Sequence, residues 1–484
     1  MYKVHFYDET IEVKRYYTID EEQESLEHSA DCSYDANAGT ALEISRDSKE
    51  ASFYLEQALQ ENRPSPHNSI LLPSSCDGVS PFQESELSLD SGVFPSPPGH
   101  LSLNRSWKDA PSPQSQPFSL SEREAILMRN FVENMALWAD ITDPQRHFEV
   151  EVPMRAVDEP VLRFAIFAFS SRHIDRQENS ETAEALQYHN HCLQLLIPVL
   201  SGVRDDITEV ILAAVAILRQ HEEMDCEDNQ FHLTGTTRIL NTVSSFGSSG
   251  GLGEAAAWLC LRQDIYISLT SQKPLRTDLQ SFDSSDVFQR NDDFAWASRM
   301  VFLLAKVLKC AFSHESSTAQ RNVLRGIEGE VENWNITKPR TFNPIRFVPR
   351  SQERQMRFPS IWMLLSVHVV GLQYYHLAKI VLAFSSRPSS LPAYENFRHS
   401  RNIEKTVRNH LLTVLGLAKS NTKAENTLFT ARHSLVAWGW VLRHKLDQEA
   451  AEDLLKDMET TTGWNMKQLI QSLRDQWQEE NSDD

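Results

Sequence analysis

Residues 121–138 read SEREAILMRNFVENMALW. Ser121 followed by Glu124 is a capping-box pattern, and Leu127, Met128, Phe131, Met135 and Trp138 then recur at helical spacing. This predicts a helix that Asp143-Pro144 ends. The same signature repeats downstream. An almost wholly apolar helix is predicted from Val161 to about Ile174, central because it has nearly no solvent face. Further helical stretches are predicted around 183–200, 206–220, 230–244, 254–270, 293–313, 317–333, 359–385, 401–419, 425–444 and 447–459. A last one, near 465–477, carries Met466, Leu469, Ile470, Leu473 and Trp477 on one face, with Asn465 as its cap. No alternating strand pair stands out. The expected class is all-α, a large irregular multi-helix domain over 119–484; unequal helix lengths with no fixed period argue against a tandem-repeat solenoid.

Upstream, residues 1–118 mix Ser, Pro, Asp and Glu, and no hydrophobic period lasts more than a few positions, apart from a short helical chance at Phe53–Leu59. Such a segment buries too little apolar surface to offset its chain entropy, so a disordered acidic Ser/Pro-rich arm is expected. Residues 1–120 hold 20 acidic and 8 basic side chains of the chain's 67 and 47, leaving 47 and 39 for the remainder. The arm is therefore the more acidic part of a chain of net charge -20. Within it, Pro81 to Asp90 (PFQESELSLD) alternates acids with large apolar residues, the composition of an activation segment that folds on a coactivator. A solvated linker is the blander alternative and outweighs it. Ser65, Ser80, Ser96 and Ser112 each precede a proline, as proline-directed phosphorylation requires and as chance also supplies in such a tract.

No Lys/Arg run is long enough to serve as a phosphate-binding arm. The six cysteines lie at least 34 residues apart, with no C-x2-C pair, which fits neither a disulfide framework nor a zinc ribbon. Met1–Glu12 lacks a basic region followed by an apolar core, so no signal peptide is expected. Ile361–Phe384 is long enough to span a bilayer, but His368, Gln373, His376 and Lys379 interrupt it within one arc. A buried amphipathic helix and no membrane partner are expected, in a reducing cytosolic or nuclear compartment.

Several ordered phrases resemble the large helical regulatory region of fungal binuclear zinc-cluster transcription factors, the branch called the fungal-specific transcription factor domain of the second type. They are Trp138-Ala139-Asp140 with Asp143-Pro144-Gln145-Arg146-His147-Phe148, Pro160-Val161-Leu162 through Ala168-Phe169-Ser170-Ser171-Arg172-His173, and Tyr188-His189-Asn190-His191-Cys192-Leu193. Leu261-Arg262-Gln263-Asp264-Ile265-Tyr266, Pro359-Ser360-Ile361-Trp362, Gln373-Tyr374-Tyr375-His376-Leu377-Ala378-Lys379 and Thr462-Gly463-Trp464 continue the set, which spans roughly 120–480. Members of that family usually begin with a six-cysteine zinc cluster that places a helix in the DNA major groove. This sequence has none, so either the coding region starts further upstream or the protein acts through partners. The resemblance implies a nuclear regulator of RNA polymerase II transcription, not an enzyme, in contact with transcription machinery or other regulators. DNA would be met only indirectly or through a missing N-terminal module, and zinc is expected only with that module. A small-molecule effector and a homodimer stay open.

No catalytic, cofactor-binding or metal residue is assigned. The best metal-like group is His221, Cys226 and His232 with Glu222, Glu223 and Asp225, for which a helix end with solvated acids is the expected explanation. His189 and His191 point about 160° apart on a helix and cannot share a metal. Asp205-Asp206-Ile207-Thr208-Glu209 resembles the magnesium motif of helical terpene cyclases, the alternative enzyme class, but the acids equally suit a helix's first turn, and Asn291-Asp292-Asp293 fails to complete a second metal motif. A non-regulatory helical scaffold is the remaining alternative. Residues 247–253 (GSSGGLG) read as an interhelical loop without a phosphate cradle's Lys-Ser/Thr. Trp258, Trp362, Trp438 and Trp440 are expected to pack in the core, with room among them for an effector pocket.

Overall fold

A computed structural model describes residues 119–482 apart from 203–206, 226–229, 314–316, 352–355 and 386–391. The expectations for the arm, its activation segment and its Ser-Pro sites lie outside the described residues, as do Cys226, Asp205 and Asp206.

The domain is all-α as the periodicity predicts. Ser121 caps α1 (Glu122–Asn130) through a full capping box: its hydroxyl accepts from Glu124 N, and the Glu124 carboxylate accepts from Ser121 N at 2.8 Å. A π-helical turn, Phe131–Met135, leads into α2 (Ala136–Asp140). Next comes α3 (His147–Arg155), which the sequence reading missed. Pro153 and a string of charges hide its period; what starts it is long-range, since the Asp140 carboxylate accepts from Phe148 N and Glu149 N.

The core follows. The apolar helix α4 (Pro160–Glu178) packs against α5 (Glu184–Leu200) and α6 (Glu209–Glu223), and α7 (Phe231–Thr242) lies on α6. On the other side α9 (Asp293–Ala311) packs on α10 (Thr318–Thr337) and α11 (Ser366–Ser385), with α12 (Ala393–Ser420) against α11 and α13 (Asn426–Trp438) against α12. Between the two groups runs α8 (Gly251–Ser271), which contacts α6, α7, α9 and α13 and has no solvent face over its middle turns. α14 (Lys445–Thr462) and α15 (Lys467–Ser482) close the chain, with Asn465 accepting from Lys467 N as its predicted capping role requires.

Two expectations fail. Ile361 and Trp362 are not helical: β2 (Ser360–Trp362) pairs antiparallel with β1 (Arg346–Val348), and Trp362 is 45% exposed where core packing was expected. Three-residue strands are too short for alternation to register. The rest of the stretch is the buried helix expected, α11, and even its polar arc turns to neighbouring helices. His368 and Gln373 are fully buried; His368 Nε2 meets Asp293 at 2.8 Å, and Gln373 donates to the carbonyls of Val414 and Thr427. The arc is a row of interhelical bonds, which satisfies buried polar side chains without solvent.

One contact fixes how closely α12 approaches the ribbon. A Cβ on Gly416 would lie 2.4 Å from the Pro359 carbonyl, whereas one on Gly329 of α10 would meet nothing within 4 Å. Gly416→Ala is expected to cost about 1–3 kcal/mol by overpacking, and Gly329→Ala to stabilise by about 0.5–1 kcal/mol, both read from urea midpoints. Equal effects would show that the Pro359 carbonyl does not limit the approach of α12.

Candidate functional site

Four of the seven family-like phrases, scattered over more than 300 residues of sequence, meet at one junction. Trp138 is 1% exposed, and its ring stands edge-on to Phe169, His173, Phe429 and Trp464, with centroids 5.2 to 6.0 Å away. Its indole N–H donates to the Glu425 carboxylate at 2.9 Å. Gly463 turns the chain back so that Trp464 can enter this cage, with φ of +76° at the end of α14, a region glycine adopts without strain.

α2 ends inside the protein, so its last carbonyls need donors. Asn426 Nδ2 donates to Trp138 O at 2.6 Å, and the Arg262 guanidinium donates to Ala139 O, with a longer reach of 3.5 Å to Trp138 O. Arg262 is only 2% exposed. Its neighbours on α8 tie down other elements: Gln263 Nε2 donates to Ala216 O of α6 at 3.2 Å, and the Asp264 carboxylate accepts from Arg276 N and Thr277 N at 2.9 and 2.8 Å. Burial raises the pKa of Asp264, and it raises that of Asp140 to about 7 against the two backbone N–H bonds that favour its anion.

Two crevices open beside the junction. The larger, about 410 Å³, is walled by Asn130, Glu133, Asn134, His173, Glu178 and Lys423. Glu133 and Asn134 sit on the π-helical turn, a distortion that recurs at functional sites. The smaller, about 150 Å³, has Asp143, His147, Glu254, Trp258 and Arg290 in its wall. Both are polar, suited to a small hydrophilic molecule. Of the four tryptophans expected to frame an effector pocket, Trp438 is buried, Trp362 is at the surface, and Trp258 lines the smaller of these two crevices.

The chemical candidates separate. His221 and His232 do approach, but through His189, whose Nε2 lies 3.1 Å from that of His232 and whose ring stacks on His221. Burial holds the pKa values of His221 and His232 well below the imidazole range. Glu222 accepts from Phe231 N and His232 N at the start of α7 and pairs with Arg219; Asp225 pairs with Arg172 at 2.5 Å. Among the described residues no His, Cys, Asp and Glu converge on a metal position. His191 turns the other way, against Phe164. Glu209 is in the first turn of α6, paired with Arg155 at 2.9 Å, and Asp292 caps α9 by accepting from Ala295 N. Gly250 and Gly251, both at positive φ, lead into α8.

The junction generates two expectations. Arg262→Met strands the Ala139 carbonyl and is expected to cost about 2–3 kcal/mol, one buried unsatisfied acceptor with lost charge assistance, read from urea unfolding; a cost under about 0.5 kcal/mol would remove Arg262 from its role. His173 has its pKa lowered to about 4 by burial. A folded value below the unfolded one stabilises above the unfolded pKa of about 6.5, and that contribution, on the order of 3 kcal/mol, is lost as pH falls toward 4. Asp140 has the opposite slope, its contribution fading as pH rises through about 7. The difference between wild type and His173→Gln isolates the histidine: the melting temperature of the variant falls less between pH 7 and pH 5, and parallel curves would refute it.

No solved structure matches the chain at a significant level. A transcription activator of Alternaria alternata, AMTR1, is 19% identical over 554 aligned positions, covering 86% of this chain and 71% of that protein. The fungal specific transcription factor domain matches residues 126–484, the whole span from the first helix through the Trp138 junction to the last. On that match the chain belongs to the family of fungal-specific transcription factor domain proteins.

Proposed function

We propose that this transcriptional regulator works in the nucleus on genes read by RNA polymerase II, with residues 119–484 as its regulatory domain and the acidic residues 1–118 as the part that recruits transcription machinery. The observation that carries this is the family match over residues 126–484, supported by a relative that is a transcription activator. Charge supports the division of labour. The chain's net charge of -20 repels a phosphate backbone, and no six-cysteine cluster stands within these 484 residues, so DNA is met through partner proteins or through a zinc-cluster module that these residues do not contain. Control then passes through protein partners and through a small polar effector in the crevice of about 410 Å³ beside Trp138.

Regulation without chemistry suits the described acids. Glu209, Asp292 and Asp293 are engaged in helix starts, ion pairs or bonds to neighbouring helices. The carboxylates at those places serve folding, where a metal-dependent enzyme would leave them converging on open space.

Residues 1–118 fused to a heterologous DNA-binding domain are expected to raise reporter transcription at least several-fold over that domain alone, and a tagged full chain is expected in the nucleus. A silent fusion would remove the recruiting role from the arm. Nuclear exclusion under all growth conditions would overturn the regulatory reading and leave a scaffold.

A further inference from the structure

The short ribbon missed by sequence reading has an unusual surface. Residues 338–365 carry six basic side chains against one acidic in a chain of net charge -20; of the six, Arg354 lies outside the described residues and Arg350 pairs with Asp447 at 3.1 Å. Elsewhere arginines typically meet carboxylates, as Arg155 does Glu209, Arg290 does Asp292 and Arg443 does Glu404. Arg346 instead lies over the Trp362 ring, 4.8 Å from its centroid, with no carboxylate partner among the described residues, and Arg340 is likewise exposed. Around them the chain exposes large apolar groups: Ile345 at 64%, Phe347 at 59%, Leu364 at 60% and Leu365 at 46%. Apolar side chains gathered in this way mark binding surfaces more often than solvated ones.

The backbone adds a third property. Ile361 N donates to the Ser420 hydroxyl, and Ile361 O accepts from Asn421 Nδ2, so both groups of Ile361 point toward the end of α12 and away from β1. Phe347 is directly opposite Ile361 in the register. In an antiparallel ladder such a pair is the one that does not exchange hydrogen bonds, so the N–H and C=O of Phe347 point out of the ribbon's other edge. Among the described residues β1 pairs with β2 alone, which leaves that edge open. Pro344 and Pro349 bracket it, so a strand added there can only be short.

We propose that this ribbon is a docking surface for a short extended segment of a partner protein, acidic and bearing large apolar side chains, which adds as a strand beside β1. Carboxylates of the segment would meet Arg346 and Arg340, and its apolar side chains would cover Phe347, Trp362 and Leu364. Phosphate would meet the same cations, but a nucleic acid has no use for an open ladder edge or for exposed leucines, so a peptide fits all three properties. The proposal gives the partner contacts of the proposed function a place and rests on that reading; binding is measured on purified protein, so failure here leaves the reporter and localisation results standing.

The test is fluorescence anisotropy of the full chain with a labelled decapeptide alternating glutamate and leucine, against the same peptide with lysine for glutamate and against a single-stranded oligothymidine. Saturable binding of the acidic peptide is expected, at least tenfold tighter than the lysine peptide. Arg346→Glu and Leu364→Ser should each weaken it fivefold or more at unchanged melting temperature. Phe347→Pro, which deletes the outward N–H, should weaken it more than Phe347→Ala; if the proline variant does not fold, Arg346→Glu and Leu364→Ser decide. Equal binding of both peptides, tighter binding of the oligonucleotide, insensitivity to the Arg346 and Leu364 variants, or a self-dimer that Arg346→Glu dissociates would each overturn the proposal.

Discussion

The carbonyl groups of Trp138 and Ala139 end a short helix where water does not reach, and their demand for donors organises the domain. A helix that stops at the surface can leave its last carbonyls to solvent; one that stops in the core must bring partners to them. Arg262 and Asn426 are those partners, one from the central helix α8 and one from α13. The same turn that exposes the carbonyls places Asp140 at the start of α3, so one helix end and one helix start are satisfied within three residues. Because Trp138 is held from both sides, its ring becomes the centre on which α4, α13 and the turn after α14 pack.

Arg262, Gln263 and Asp264 extend this logic. Three consecutive polar residues in the middle of a buried helix radiate at about 100° steps, so each faces a different neighbour. Gln263 meets α6 and Asp264 the loop after α8, while Arg262 meets α2. Apolar residues at these positions would pack as well against any rotation of α8; polar ones accept a single rotation, because a mispaired buried guanidinium or carboxylate costs several kcal/mol. The buried row on α11, His368 and Gln373, does the same between α9, α12 and α13.

Much of this was legible in the sequence, and the failures are instructive. Every long helix announced itself through apolar period, and the capping box at Ser121 marked the domain's first turn. α3 was invisible because its start depends on Asp140, a residue outside it, and the ribbon because three residues cannot display a period of two. The beginning of α12 was missed for a related reason: Tyr394 and Phe397 are 93% and 66% exposed, so the first turns bury no stripe. At the site, the phrases around Trp138, Phe169, Arg262 and Trp464 stood out as a resemblance, but only three dimensions show that they touch. Neither crevice could be read in advance: the walls of the larger come from the π-helical turn, α4 and a distant loop before α13, those of the smaller from the loop after α2, the start of α8 and the residues before α9, and no local pattern encodes either convergence.

By holding the end of α2, Arg262 fixes the Trp138 ring on which both α4 and α13 pack, and so ties those two helices into one cooperative body. Native-state hydrogen exchange on Arg262→Met, compared with wild type, tests this most directly. If Arg262 is the tie, amides of α4 and of α13, which both pack on the Trp138 ring, lose protection together and by the same factor. Loss confined to α2 and α3, with α4 and α13 exchanging as in wild type, would show that Arg262 serves one helix end alone and would contradict the central claim.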